Sequence, residues 1–253
     1  MVYNFIKTIK EGFVFTLTLA RPEKRNAFTP AMVNEIDHAL KVANADKDVR
    51  VVVVRAEGPV FCAGMDLKAF AGADRLNSGI ENRELSLGEV LAQLNKPSVA
   101  LVEGKVVAGG FLVVAGCTYV LARPDAEFSL PEVHIGIFPF QVLASLLKVM
   151  PQKKAMQLCI SGEVFSARQA LEYGLVDALL EEGVAERLIG RLTQNAPLAV
   201  SRGFEALKEL EKIPSADQFQ YLKHALEQLR DSEDAREGIR ALFEKRKPEW
   251  KNA

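Results

Sequence analysis

Three short segments carry residue types suited to holding an oxyanion and moving a proton. The first, Phe61-Cys62-Ala63-Gly64-Met65-Asp66-Leu67-Lys68, directly follows a run of valines. A glycine there lets the backbone turn sharply and approach a ligand with its amide N–H groups. The same pattern also serves as a plain strand-to-helix turn. The second, Glu103-Gly104-Lys105-Val106-Val107-Ala108-Gly109-Gly110-Phe111-Leu112, places paired glycines at a helix start. Unpaired amide donors backed by a helix dipole can hold an oxyanion, although close packing of a buried helix on a strand asks for the same small residues. The third, Phe128-Ser129-Leu130-Pro131-Glu132-Val133-His134-Ile135-Gly136, sets the Glu132 carboxylate among apolar side chains. Desolvation would lift its pKa toward that of a useful general base, and partial exposure at a loop would account for it equally well. His134 has no evident Ser or Cys nucleophile to serve and is expected to pack or to face solvent.

A frame must position those segments. Residues 13–19 alternate, with Phe15, Leu17 and Leu19 on one face and Thr16 and Thr18 on the other. Residues 2–10 alternate less cleanly, and Glu11-Gly12 lies between the runs, so a hairpin is predicted. Thr29-Pro30 reads as an N-cap followed by proline at the first helical position. Met32, Val33, Ile36, Ala39, Leu40 and Ala43 then recur at helical spacing, which predicts an amphipathic helix over 30–44. Residues 49–55 contain four consecutive valines, the pattern of a strand buried on both faces. Residues 99–102 and 118–122 are further strand candidates. Residues 109–116 read as a strand by composition and as a buried helix by context, and periodicity alone does not arbitrate. After Phe138 the pattern turns to helices. Ser166 is the predicted cap of 167–173, with Gly174 as its left-handed stop, and amphipathic stretches follow at 185–194, 200–210, 217–230 and 236–245. The division implied is an α/β core over 1–195 and a helical region over 196–253.

A length of 253 residues suits one α/β domain, alone or with a small appendage, and 49% hydrophobic residues supply its core. A net charge of −1 supplies no basic field for nucleic acid or an anionic membrane. The longest uncharged apolar run, over 106–120, is short of a membrane span and carries three glycines. Cys62, Cys117 and Cys159 lack metal-ligand spacing, and no secretion signal is visible at the start. A soluble protein with reduced thiols in the cytoplasm is the expectation.

Taken together, Arg21-Pro22-Glu23-Lys24-Arg25-Asn26-Ala27, then FCAGMDL, VEGKVVAGG and LPEVHIGIFP, resemble the crotonase (enoyl-CoA hydratase/isomerase) superfamily in order and spacing. Ser161-Gly162-Glu163, Ser166-Ala167-Arg168-Gln169-Ala170 and Tyr173-Gly174-Leu175-Val176-Asp177 extend the resemblance, as does the closing stretch from Phe243 to Trp250. It implies a spiral of β-β-α turns followed by helices that assemble a homotrimer, or a hexamer of paired trimers. It also implies an acyl-CoA thioester as substrate, with coenzyme A arriving as part of that substrate and no covalently bound cofactor. The two oxyanion donors fall on the backbones of Met65 and Gly109. The backbones at Ala63 and Ala27 fall against the adenine end of coenzyme A, with Asp66 and Leu67 in the same contact segment. Lys24, and less strongly Lys68, fall near its phosphates, and Lys245 falls within reach of a phosphate in this or a neighbouring subunit.

The resemblance has two departures. Hydratases of the family use two acids, and the first falls here on Leu112 while the second is Glu132. A distant acid, Glu81, Glu84 or Glu89 in the variable segment, is open as its replacement. A glycine-rich stretch is also replaced, by Phe138-Pro139-Phe140-Gln141, so that Phe140 should reshape the acyl pocket. Double-bond migration needs only one base that takes a proton from C2 and returns it to C4. An enoyl-CoA isomerase with Glu132 as its acid is therefore the first expectation, a hydratase the second, and a non-catalytic binder of CoA esters the third.

Overall fold

The computed structural model describes residues 2–68 and 79–253. It opens with the hairpin of β1 (Ile6–Glu11) and β2 (Val14–Leu19), antiparallel across a turn where Gly12 has φ 55°. Phe15, Leu17 and Leu19 are buried and the threonines between them are less so, as the alternation requires. Helix α1 (Pro30–Ala45) starts at Thr29, whose Oγ1 accepts from the Met32 N–H at 3.2 Å. The valine run forms β3 (Val51–Ala56), parallel to β2. Its valines face two separate cores, Val52 and Val54 the main one and Val51 and Val53 a smaller one with Val99, Leu121 and Leu188. Burial on both faces is why that run has no polar alternation.

From β3 onward the chain winds as a spiral that visits two sheets in turn. After β3 comes β4 (Val60–Cys62) in a second sheet, then α2 (Leu87–Ala92). The next turn sends β5 (Ser98–Val102) to the first sheet, β6 (Lys105–Val107) to the second, and continues into α3 (Phe111–Gly116). A third turn repeats this with β7 (Tyr119–Ala122) and β8 (Glu127–Ser129), followed by α4 (Phe140–Leu146) and α5 (Gln152–Ser161). Then β9 (Phe165–Ser166), α6 (Ala167–Glu172) and β10 (Ala178–Leu179) complete sheets ordered β1-β2-β3-β5-β7-β10 and β4-β6-β8-β9. Ser166 and Gln169 close a reciprocal capping box at the start of α6. Helices α7 (Val184–Leu192), α8 (Pro197–Leu210), α9 (Ser215–Arg230) and α10 (Glu233–Glu244) follow.

The ambiguous stretch 109–116 is helical: a 3-10 turn at Ala108–Gly110 runs into α3, with Phe111, Leu112, Val113 and Val114 all buried. Gly110 makes this possible, because a side chain there would meet the Cys62 carbonyl oxygen at 2.7 Å. The second sheet is not anticipated by pattern, since its longest strands have three residues, too short to display a period.

Candidate active site

Asn26 organises the first part of the site. Its side chain is fully buried, accepts from the Arg21 N–H at 2.9 Å, and donates to the carbonyls of Glu57 and Val60, each at 2.8 Å. Arg25 and Asn26 both hold left-handed backbone, with φ 53° and 51°. Arg21 Nη1 donates to the Ala27 carbonyl and to Asp66 Oδ2, both at 2.8 Å. This clamp ties 21–27 to the turn after β4, where the Ala63 N–H donates to the Arg25 carbonyl at 3.0 Å. Asp66, expected as a substrate contact, has its carboxylate committed to Arg21 and to the Lys68 N–H.

The two expected donors are brought together from opposite sides. Phe28 bridges the turn by donating its N–H to the Gly64 carbonyl at 2.8 Å and accepting from the Asp66 N–H at 2.9 Å. In a parallel bridge those flanking groups point toward the partner, so the N–H of Met65 points away from it. Among the described residues it has no acceptor. Gly64 has φ 85°, and a side chain on it would lie 2.9 Å from the Gly109 nitrogen and 2.8 Å from Ala108 Cβ. Only glycine permits both that conformation and that approach. Ala108 itself has φ 52°, and the Gly109 N–H that follows precedes the first internal bond of its turn. It too lacks an acceptor among the described residues. The Phe28 ring backs Gly109, 3.0 Å from where a side chain would begin. Two unsatisfied main-chain donors lie on adjoining turns, a suitable cradle for a carbonyl oxygen that gains charge.

Glu132 is the candidate for the proton chemistry. It lies in a 3-10 turn at Pro131–Ile135 that ends on Gly136 in left-handed backbone, φ 77°. The side chain is buried, and its Oε2 has no hydrogen-bond partner among the described residues. Burial raises its pKa above the ordinary carboxylate range, opposed only by a bond from its own backbone N–H. Cys159 of α5 lies close enough to feel that charge: burial first, then Glu132, push its thiol up to about 11. Burial likewise lifts Cys62, which bonds the Asn26 carbonyl at 3.2 Å, to about 12. Neither is suited to act as a nucleophile at neutral pH. His134 is exposed with its ring packed on Gly162, a structural placement.

Leu112 is buried on α3, one turn beyond Gly109, and an apolar wall stands where a second acid was sought. Glu81, Glu84 and Glu89 are all exposed. Lys24, Lys68, Leu67 and Phe140 are exposed too, the Phe140 ring tilted against Phe138 with centroids 4.9 Å apart. Lys245 caps α10 in left-handed backbone, and no side-chain bond joins it to the other candidates among the described residues. No group of three or more His, Cys, Asp or Glu side chains among the described residues is arranged to hold a metal. No helix among them is long and apolar enough to cross a membrane. Asn26, Arg21 and Phe28 are the contributors that pattern reading passed over. Their partners lie roughly thirty to forty-five positions away, and only the quoted 21–27 segment hinted at them.

A fold of alternating β-β-α turns that sets two backbone turns with free amides side by side, with a desolvated glutamate, has the features of an enzyme class that stabilises enolates. A model of the family described as enoyl-CoA hydratase/isomerase matches residues 9–253. The mevalonyl-coenzyme A hydratase of Aspergillus fumigatus is 35% identical over 257 residues, covering 94% of this chain and 91% of the relative. The crystal structure of an enoyl-CoA hydratase from Mycobacterium tuberculosis superposes with TM-score 0.87 at 31% identity, covering 98% of this chain and 99% of that one. An enoyl-CoA hydratase structure from Mycobacterium marinum gives TM-score 0.88 at 31% identity over the same shares. The chain belongs to the enoyl-CoA hydratase/isomerase family, and its fold is the crotonase fold.

Proposed function

We propose that the protein moves the double bond of an enoyl-CoA thioester from C3 to C2. Glu132 takes a proton from C2, the negative charge spreads onto the thioester oxygen, and the protonated Glu132 returns the proton to C4. The N–H groups of Met65 and Gly109 receive the charged oxygen, each contributing about 3–4 kcal/mol to the transition state. The observation that carries this reading is that, among the described residues, one buried carboxylate has a free oxygen, Glu132, while the position one turn past Gly109 holds the apolar Leu112. A raised pKa suits a base that must give its proton back. In the same reading coenzyme A runs past Ala27 and Ala63, its phosphates meet Lys24, Lys68 and Lys245, and Leu67, Leu112 and Phe140 flank the acyl group. Asp66 acts through Arg21 to hold the donor turn. The working unit is a homotrimer, or two trimers paired, in the cytoplasm.

Water addition to a 2-enoyl-CoA is the second reading, favoured by the relatives, whose names are those of hydratases. Glu132 alone would then activate the water. A product assay with matched 2-enoyl and 3-enoyl-CoA esters decides between them. Conversion of the 3-enoyl ester at the higher kcat/KM is the expected result, and faster hydration of the 2-enoyl ester overturns it.

A further inference from the structure

A cavity of about 750 Å³ lies between α2, α3, α4 and α8 and shares Leu112 with the candidate active site. Its two ends differ in chemistry. The end toward the oxyanion donors is formed by Gly88, Leu112 and Ser145, where a side chain on Gly88 would begin 3.5 Å from both Leu112 Cδ2 and Ser145 Oγ. From there the cavity follows α3 past Ala115 to Gly116, roughly 6 Å at helical rise, and reaches Thr118 beyond the helix end. Leu91, Leu94, Phe204 and Leu207 give it apolar walls. At the far end Ser98 and Thr118 bond each other, and Lys96 and Lys208 approach through Asp46 and Asn95.

The far end is cationic in a particular way. Three lysines, Lys96, Lys148 and Lys208, line the cavity against two glutamates, Glu89 and Glu211. Lys148 is paired with Glu211 at 3.5 Å, and Lys96 donates to the Asp46 carbonyl at 2.5 Å. Lys208 is half-buried and bonds only a neutral acceptor, Asn95 Oδ1 at 2.5 Å, with no carboxylate within ion-pair distance among the described residues. Desolvation lowers its pKa, and the nearby Glu205 carboxylate offsets that only in part. An apolar passage that runs from Leu112, one turn beyond Gly109, to an ammonium outside ion-pair distance of the described carboxylates matches a chain with a carboxylate at its tip.

We propose that this cavity receives the acyl group and that Lys208 selects thioesters whose far end is a carboxylate, that is, the CoA monoesters of dicarboxylic acids. The inference rests on the active-site reading above, because the thioester must lie at Met65 and Gly109 for its tail to enter past Leu112.

Calorimetric titration of saturated esters tests it without requiring turnover. Adipyl-CoA is compared with hexanoyl-CoA and suberyl-CoA with octanoyl-CoA, in the full-length protein and in Lys208→Met and Lys208→Glu. A charge-assisted contact in a partly desolvated site predicts about tenfold or tighter binding of the dicarboxylic member of at least one pair. That ratio falls toward unity in Lys208→Met and below it in Lys208→Glu, while the monocarboxylic esters bind all three proteins alike and so report intact folding. Equal binding within both pairs by the unaltered protein overturns the proposal, as does a ratio that survives both substitutions. A retained preference with no turnover of any enoyl-CoA would instead sink the catalytic reading, and turnover without preference would sink only this one.

Discussion

At the scale of single residues, the proposed reaction separates groups that act by side chain from groups that act by backbone. Glu132 acts by side chain, so Glu132→Gln should lower turnover by roughly 10²–10⁴-fold while leaving CoA-ester affinity nearly intact, read by steady-state kinetics and calorimetry. The same substitution should stabilise the fold, with a sign set by its raised pKa. A carboxyl whose folded pKa lies above its unfolded value contributes stability that is full below the unfolded pKa and is lost as pH rises through the folded one. Glu132→Gln should therefore melt higher than the unaltered protein at pH 8, by about 2–4 °C for each kcal/mol recovered, and show less gain at pH 4. Equal melting curves at both pH values would remove the case for a strained base. Met65 and Gly109 act by backbone: Met65→Ala should keep most activity, whereas Gly109→Pro should cut kcat roughly 100-fold or more in a variant that folds. Leu112→Glu restores a second acid and should raise hydration of a 2-enoyl-CoA, at some stability cost for burying a carboxylate.

At the scale of elements, the donors are positioned by loops that other loops hold. The turn after β4 has little packing of its own and is held by Phe28 through two backbone bonds and by Arg21 through Asp66. Arg21 and the left-handed pair at 25 and 26 are in turn held by Asn26. Asn26→Ala leaves the Arg21 N–H and two carbonyls without partners, and should destabilise the protein by about 1–3 kcal/mol in urea denaturation with an unchanged m-value. Activity should fall further than stability alone explains, because the clamp lies between the expected coenzyme A contacts at Ala27 and Ala63. Full activity in a folded Asn26→Ala protein would show that the donor turn holds its own shape.

At the scale of the whole molecule, the late helices carry apolar side chains that this chain alone leaves in water. Phe219, Leu226, Leu242 and Phe243 are 85%, 67%, 74% and 81% exposed. A second apolar stretch, with Ile135, Ile160 and Val164, flanks the turn that holds Glu132. Surfaces of this kind are usually covered by another chain. Sedimentation should show a trimer or hexamer at micromolar concentration, and a stable monomer there would refute the assembly. Phe243→Lys should shift the distribution toward smaller species.

What the residues determine without a fold is local. The Thr29 cap, the helix behind it, the Ser166 capping box and the doubly buried valine strand follow from interactions within a few positions, and each is visible as spacing or residue type. The three chemical segments and their glycines are legible for the same reason. Tertiary structure alone decided that 109–116 is helical, because a run buried on every side has no polar face to reveal its period. It alone assembled the second sheet from strands of three residues or fewer and placed the Gly64 turn against Gly109, forty-five positions later. It also set the cavity behind Leu112, whose lining comes from four helices and from the start of β5. Convergence of that kind is a sum of long-range contacts, each weak in its own sequence signal, and it becomes definite only when the spiral closes and burial selects which distant groups share a point.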